Sequence, residues 1–122
     1  MKESFTELYG IAQKNRANSP WMKKMTLKGM TEALKGEVNE ILDAVEKEDI
    51  TNLHEELGDA LWDLLNVIVV AEEQHSFEGK KIINEAVQKV RRRKPWIFEN
   101  HNYTEEEELE LWKKAKAEEK NE

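Results

Sequence analysis

Apolar residues recur every three to four positions along most of the chain, the period of an amphipathic helix. No stretch shows the convincing alternation expected of a strand, so the pattern predicts an all-α fold, a bundle of about five helices. Pro20 falls in a predicted loop, Pro95 ends a helix, and Thr104 is the predicted N-cap of the last helix. The predicted helices span roughly 2–16, 26–48, 50–76, 79–94 and 104–120.

The second and third predicted helices each carry an apolar stripe. On the second helix the stripe comprises Leu34, Val38, Ile41, Leu42 and Val45. On the third it comprises Leu53, Leu57, Leu61, Leu64 and Ile68. The segment "ALWDLLNVIVVA", 60–71, is apolar nearly all round and should be buried on several sides. In so small a protein this predicts that another copy of the chain covers one of those sides.

Length and composition narrow the class of protein. A chain of 122 residues predicts one domain over 1–122. It has no cysteine, which excludes disulfides and thiolate metal sites. The N-terminus, "MKESFTELYG", has no apolar run of signal-peptide length, and no stretch of the chain approaches membrane-spanning length, so we expect a soluble cytoplasmic protein.

The net charge of −7 argues against partners that are nucleic acids or anionic membranes. The charge is unevenly distributed: residues 32–63 carry eleven Asp and Glu against two Lys, and residues 80–94 carry seven Lys and Arg against one Glu. The acidic block could bind a metal cation and the basic block a polyanion. Charge counts alone favour the alternative, in which both blocks are solvated helix faces.

Two carboxylate pairs of the same form lie in "GEVNEILDAVEKEDITNLHEELGD", residues 36–59. Glu37 and Glu40 lie on one flank of the second helix's apolar stripe, and Glu56 and Asp59 lie on the equivalent flank of the third. The midpoints of the pairs, 38.5 and 57.5, average to 48, within the predicted turn "EKEDIT". In an antiparallel hairpin both pairs would therefore lie ~14 Å from the turn and converge.

Four converging carboxylates repel one another unless a cation joins them. Oxygen ligands without cysteine or histidine suit Mg²⁺, with Mn²⁺ as a possible substitute. Asp63, one turn after Asp59, could assist. A solvated ridge is the alternative, but no lysine lies four residues after any member of the pairs. A di-iron bundle fits poorly, because it needs two Glu-x-x-His motifs and only Glu72 and His75 have that spacing.

With these residues in view, the sequence resembles the MazG family of nucleoside triphosphate pyrophosphohydrolases. That family has the pattern Glu-x-x-Glu, a spacer, then Glu-x-x-Asp, often within "EELGD". The segment "SPWMKKMT" is similar to the family's Pro-Trp loop, "VQKVRRRKPWIF" to its basic helix end, and "LWKKAKAEEK" to its closing Trp-x-x-x-Lys helix. The four landmarks occur in order over nearly the whole chain.

The resemblance implies a Mg²⁺-dependent enzyme that hydrolyses nucleoside triphosphates between the α and β phosphates, giving monophosphate and pyrophosphate. It implies a homodimer or a dimer of dimers. Four carboxylates match the family's magnesium ligands and would act in catalysis through the bound metal: Glu37, Glu40, Glu56 and Asp59. Lys89, Arg93, Trp112 and Lys116 match its substrate-binding residues. Lys89 and Arg93 lie one turn apart, where they could neutralise phosphate charge.

Two departures from the family pattern bear on function. Gly36 stands where relatives often have another glutamate, and Met22 stands where the Pro-Trp loop often continues with Asp. The alternative is therefore a non-catalytic helical module that senses nucleotides or binds a protein. Trp21 and Trp96 could stack on a base, although we expect each to anchor its loop to the core.

Overall fold

The computed structural model describes residues 1–120, and within them the chain is helical without strands. The α-helices are α1 (Lys2–Asn18), α2 (Pro20–Lys23), α3 (Leu27–Glu46), α4 (Ile50–His75), α5 (Gly79–Arg93) and α6 (Glu105–Lys120). A 3₁₀ helix follows α5 at Pro95–Phe98. The all-α prediction is confirmed, and the five long helices are the five predicted. None of these helices is both long and apolar enough to cross a bilayer.

The described chain forms two compact units, residues 1–79 and a second that begins at Lys80. The first unit contains α1 to α4, and the second contains nearly all of α5 together with α6. A single domain over 1–122 remains a prediction, and its last two residues lie outside the described part.

Local sequence signals set where the long helices begin. The Thr26 hydroxyl accepts a hydrogen bond from the Gly29 amide at 2.9 Å at the start of α3. Asp49 does the same for the Asn52 amide at 3.1 Å at the start of α4. At α6, Thr104 and Glu107 each accept a hydrogen bond from the other's backbone amide, which confirms the predicted N-cap. Each cap satisfies amides that have no partner within the helix.

The turn between α3 and α4 lies where the sequence predicts it. Only Lys47, Glu48 and Asp49 separate the two helices, and so short a connection makes them antiparallel neighbours. Glu48 has a φ of 54°, the left-handed conformation that lets the chain leave a helix. The Asp49 amide donates to the Ala44 carbonyl at 3.0 Å, which closes the end of α3. This hairpin carries all four predicted carboxylates.

The core of the first unit is formed by two small clusters on α4. Ala12, Leu65 and Val69 form one, where α1 packs against α4. The other consists of Met22, Met30 and Val70, which joins α2, α3 and α4. Both clusters include residues on the part of α4 that is apolar nearly all round.

The predicted apolar stripes are not the surface that the single chain buries. Six of their members are between 37% and 53% exposed: Val38, Leu42, Val45, Leu57, Leu61 and Leu64. The single chain therefore leaves much of both stripes exposed, and the prediction that another copy of the chain covers an apolar side stays a prediction. The reason is geometric, since α4 is apolar on more than one side and α1 and α2 cover the side that carries Leu65, Val69 and Val70.

Residues 20–23 form one helical turn and not the predicted loop. Ser19 caps it by accepting from the Met22 amide at 3.2 Å, and Pro20 occupies its first position, where no amide donor is needed. The Arg16 guanidinium donates to the carbonyls of Met22 at 2.6 Å and Met25 at 3.0 Å. The same guanidinium pairs with Glu73 of α4. Arg16 therefore ties this turn to both neighbouring helices.

Candidate metal centre and anion-binding residues

The α3–α4 hairpin brings carboxylates from both helices together. Glu37, Glu56 and Asp59 each offer an oxygen, and these atoms lie within 4.8 Å of one another. Glu40 lies outside this group of three, but its carboxylate contributes to the raised pKa of both Glu37 and Glu56. Helix geometry explains the arrangement, because each i, i+3 pair lies on one face and the short turn aligns the two helices. We call these four residues the acidic cluster.

The acidic cluster is strained electrostatically. The hydrogen bonds that a proton on Glu56 shares with Glu40 and Glu37, together with burial and their negative charge, raise the pKa of Glu56 to about 8. At Glu37 the hydrogen bond with Glu56 lowers the pKa, but burial and the charge of Glu40 outweigh it, so this pKa is also raised. Both raised pKa values indicate that repulsion and burial favour protonation of the cluster unless a cation compensates its negative charge.

The donor atoms fit a hard divalent cation. When the carboxylates are ionised, Glu37 Oε2 and Glu56 Oε2 are buried and accept no hydrogen bond from any residue the structure describes. Glu56 is only 8% exposed, so water is a poor substitute for a missing partner. Oxygen-only ligands of this kind suit Mg²⁺ or Mn²⁺. Asp63 is also affected, since burial and the charges of Asp59 and Glu40 raise its pKa.

A second set of predicted site residues meets in the unit that begins at Lys80. The ring of Trp112 on α6 lies 5.7 Å from Arg93 Cζ and 5.2 Å from Lys116 Nζ, so both cations are within cation–π range of it. Lys89 lies one turn before Arg93 on α5, is exposed, and forms no ion pair with any described residue. We call Arg93, Trp112 and Lys116 the cationic cluster.

Two neighbours of the cationic cluster were missed from the sequence. Lys94 Nζ lies 5.8 Å from the Trp112 ring and 3.8 Å from Glu108. The Glu119 carboxylate pairs with Arg93, and this hydrogen bond lowers the pKa of Glu119 to about 2. Lys94 adjoins the basic run and could have been considered, but nothing in the sequence pairs residue 119 with residue 93.

The two loop tryptophans differ in their exposure. Trp96 is 5% exposed, as expected of an anchor, whereas Trp21 is 65% exposed. Its neighbour Met22 is fully buried and anchors the short helix α2 in its place. The expectation that Trp21 anchors its loop is therefore wrong, because the one-turn helix directs Met22, and not Trp21, toward the core. Met22, a departure from the family pattern, has a packing role.

Comparison with known proteins gives a consistent result. Residues 25–98 match the model of the family described as the MazG nucleotide pyrophosphohydrolase domain. A crystal structure of a mazG-related protein from Thermotoga maritima superimposes with a TM-score of 0.89 and 34% identity, covering 92% of this chain and 98% of that one. The segment 25–98 that matches the family model includes the whole acidic cluster, Lys89 and Arg93.

Longer proteins also match. The nucleoside triphosphate pyrophosphohydrolase of Mycolicibacterium smegmatis is 29% identical over 120 residues, which cover 97% of this chain and 37% of that protein. The protein of the same name from Escherichia coli strain K12 is 31% identical over 102 residues, covering 83% of this chain and 39% of that protein. The chain thus spans less than half the length of these relatives.

Proposed function

The chain belongs to the MazG nucleotide pyrophosphohydrolase family, and from this premise we propose that it hydrolyses nucleoside triphosphates to monophosphate and pyrophosphate. The observation that carries the proposal is the acidic cluster, in which Glu37, Glu56 and Asp59 lie within 4.8 Å of one another on an α3–α4 hairpin. The names of the relatives from Mycolicibacterium smegmatis and Escherichia coli support the same reaction.

The acidic cluster would hold the divalent cation, Mg²⁺ by our proposal, with Mn²⁺ as a substitute. Glu37 and Glu56 supply buried oxygens without other partners, and Asp59 completes the group. Glu40 is the fourth proposed ligand. A cation bound there would neutralise phosphate charge and favour attack by water. The protein's own contribution is a rigid set of carboxylates fixed by two capped helices and a three-residue turn.

Lys89, Arg93 and Lys116 would bind the phosphate groups of the triphosphate and neutralise their negative charge. Trp112 holds two of these cations in place through its ring. In the proposed reaction an oxygen of water bonds to the α-phosphorus, and the bond from that phosphorus to the bridging oxygen breaks. Pyrophosphate leaves with the electron pair, and the proton of water passes to solvent or product.

We also propose that a second copy of the chain covers the exposed apolar stripe, giving a homodimer or a dimer of dimers. Six apolar side chains on the stripes of α3 and α4 are 37–53% exposed in the single chain, and large exposed apolar surfaces usually mark an interface with a partner. Analytical ultracentrifugation of the wild type should show at least a dimer. Leu61→Glu, which places a charge within the stripe, should shift it toward monomer. A monomeric wild type would contradict the proposal.

The decisive experiment incubates the protein with Mg²⁺ and each common ribo- and deoxyribonucleoside triphosphate in ¹⁸O-labelled water. Chromatography and mass spectrometry then identify the products. We expect monophosphate carrying the label and unlabelled pyrophosphate, because water attacks the α-phosphorus. Label in pyrophosphate would show attack at the β-phosphorus, and diphosphate with phosphate would show that a different bond is cleaved.

Matched variants exclude a contaminating enzyme. Glu56→Gln and Asp59→Asn keep the side-chain shapes but remove the charges, so both should abolish turnover. Glu55→Gln changes the exposed neighbour of Glu56 on the same helix and should leave turnover unchanged. If the wild type binds nucleotide without any turnover, the non-catalytic module becomes the better account.

A further inference from the structure

The Arg93 side chain is held by one carboxylate through one edge of its guanidinium. Nε donates to Glu119 Oε1 at 2.9 Å, and Nη2 donates to Glu119 Oε2 at 2.9 Å. This is the two-bond geometry in which arginine recognises carboxylates most specifically. The side chains are only 23% and 19% exposed, so the pair is shielded from water more than an ordinary surface ion pair is.

Two further contacts define the surroundings of this pair. The face of the Arg93 guanidinium lies near the Trp112 ring, 5.7 Å from Cζ to the ring centre. Arg92 also donates to Glu119 from Nε at 3.1 Å, so one carboxylate gathers two arginines at the end of α5. The α6 helix thereby contacts the end of α5 through Trp112 and Glu119, seven residues apart and on one face.

One edge of the Arg93 guanidinium remains available. Glu119 occupies the Nε and Nη2 side, while Nη1 has no hydrogen-bond partner among the described residues. A guanidinium has a second two-donor edge, formed by Nη1 and the other hydrogen of Nη2. That edge has the geometry for two phosphate oxygens. Binding phosphate there does not require Glu119 to leave.

We propose that Glu119 is a positioning residue that fixes Arg93 with its Nη1–Nη2 edge ready to bind a phosphate group. This inference rests on the proposed function, which assigns Arg93 to phosphate. The physical gain is preorganisation: a free arginine must give up its rotamer freedom when it binds a ligand, whereas this one is already ordered by Glu119 and Trp112. The opposite role, a carboxylate that competes with phosphate for Arg93, predicts the opposite effect of removing it.

The test measures steady-state kinetics of Glu119→Ala and Glu119→Gln beside Glu118→Ala, which alters the exposed neighbouring position on α6. We expect KM for the triphosphate to rise about three- to tenfold in both Glu119 variants, with kcat much less affected. Glu119→Asp, which keeps the charge, should recover part of the loss. Circular dichroism confirms that each variant is folded, and Glu118→Ala should match the wild type.

A double variant separates positioning from general damage to the fold. If Glu119 acts through Arg93, Glu119→Ala should add little to KM in an Arg93→Ala background, so the two effects are strongly non-additive. Fully additive effects would overturn the proposal. So would an unchanged KM in Glu119→Ala, and a lowered KM would show that Glu119 competes with phosphate.

Binding of inorganic tripolyphosphate, measured by calorimetry, gives a readout that does not depend on turnover. Its affinity should fall about three- to tenfold in Glu119→Ala and stay unchanged in Glu118→Ala. If the affinity for tripolyphosphate falls in Glu119→Ala but not in Glu118→Ala, and the wild type hydrolyses no triphosphate, the proposed reaction is wrong and the positioning role stands. Equal affinity in Glu119→Ala and wild type would reject the positioning role, even in an active enzyme.

Discussion

Loading the acidic cluster with Mg²⁺ should release a proton from Glu56. The structure gives the reason: Glu56 is 8% exposed, it lies among other carboxylates, and its pKa is about 8 in the metal-free protein. A cation binds the ionised carboxylate and not the protonated one. The proton that Glu56 shares with Glu37 and Glu40 must therefore leave when the cation enters.

The size of the effect follows from the pKa. With a value of about 8, roughly nine in ten molecules carry the proton at pH 7 and roughly one in ten at pH 9. Each chain should therefore release about 0.9 proton on binding Mg²⁺ at pH 7 and about 0.1 at pH 9. Over the same range the apparent affinity should rise about tenfold per pH unit below pH 8 and level off above it.

The stability of the metal-free protein should change in the corresponding direction. The folded pKa of Glu56 lies above the ordinary value of 4.5, so the folded protein holds this proton more tightly than the unfolded chain. Its contribution to stability is complete below about pH 4.5 and is lost as the pH rises toward 8. Saturating Mg²⁺ should reverse that loss, most strongly at the alkaline end.

Isothermal titration calorimetry in buffers of different ionisation enthalpy measures the number of protons released. Glu56→Gln has no proton to release, so its signal should be absent or its metal binding lost. Glu55→Gln, next to it and exposed, should behave as the wild type does. Metal binding by the wild type at pH 7 without proton release would refute the electrostatic reasoning. Undiminished release from Glu56→Gln would assign the proton to another group.

Three further predictions concern stability and are measured by urea or thermal unfolding. Gly36→Ala should raise the free energy of unfolding by ~0.5–1 kcal/mol, because alanine favours a helix interior and a Cβ at this position meets nothing within 4 Å. A loss of stability would reveal a neighbour that the single chain does not show. Met22→Ala should lower that free energy by about 2–5 kcal/mol, because the Met22 side chain is fully buried. Trp21→Ala should lower it far less, because Trp21 is 65% exposed. Equal losses in the two variants would contradict the assignment of Met22 as the anchor. The free energy of unfolding of the wild type should fall as the pH drops from about 4.5 toward 2, in part because Arg93 lowers the pKa of Glu119 to about 2. Glu119→Gln should weaken this pH dependence. An unchanged acid profile in that variant would mean that the ion pair does not stabilise the fold.

Much of the acidic cluster could be predicted from the sequence because it depends on local rules. The spacing of three residues places each pair on one helix face, and a short turn between two helices leaves them little choice but to run antiparallel. The turn at residues 47–49 and the meeting of Glu37 with Glu56 and Asp59 follow from these facts. The sequence also predicts the N-cap at Thr104, and the caps at Thr26 and Asp49 act over the same distance of three residues.

The burial of particular residues could not be predicted in the same way. Asn66 is polar, yet it is 1% exposed and accepts a hydrogen bond from Asn15 at 3.0 Å. Val38 and Leu57 are apolar, yet each is 52% exposed. Periodicity identifies an apolar face but does not say which neighbour covers it, and α4 has apolar residues on several sides.

The sequence by itself determined the five long helices, the N-cap of the last one, the hairpin turn and the helix faces that carry the acidic cluster, because each depends on residues close together in the chain. Only the tertiary structure decided which side of α4 is buried, that Met22 and not Trp21 anchors α2, and that Glu119 holds Arg93. Those outcomes depend on how distant helices pack, and the last of them joins residues 26 positions apart. Such contacts are set by the shape and volume of whole faces, which no local pattern encodes.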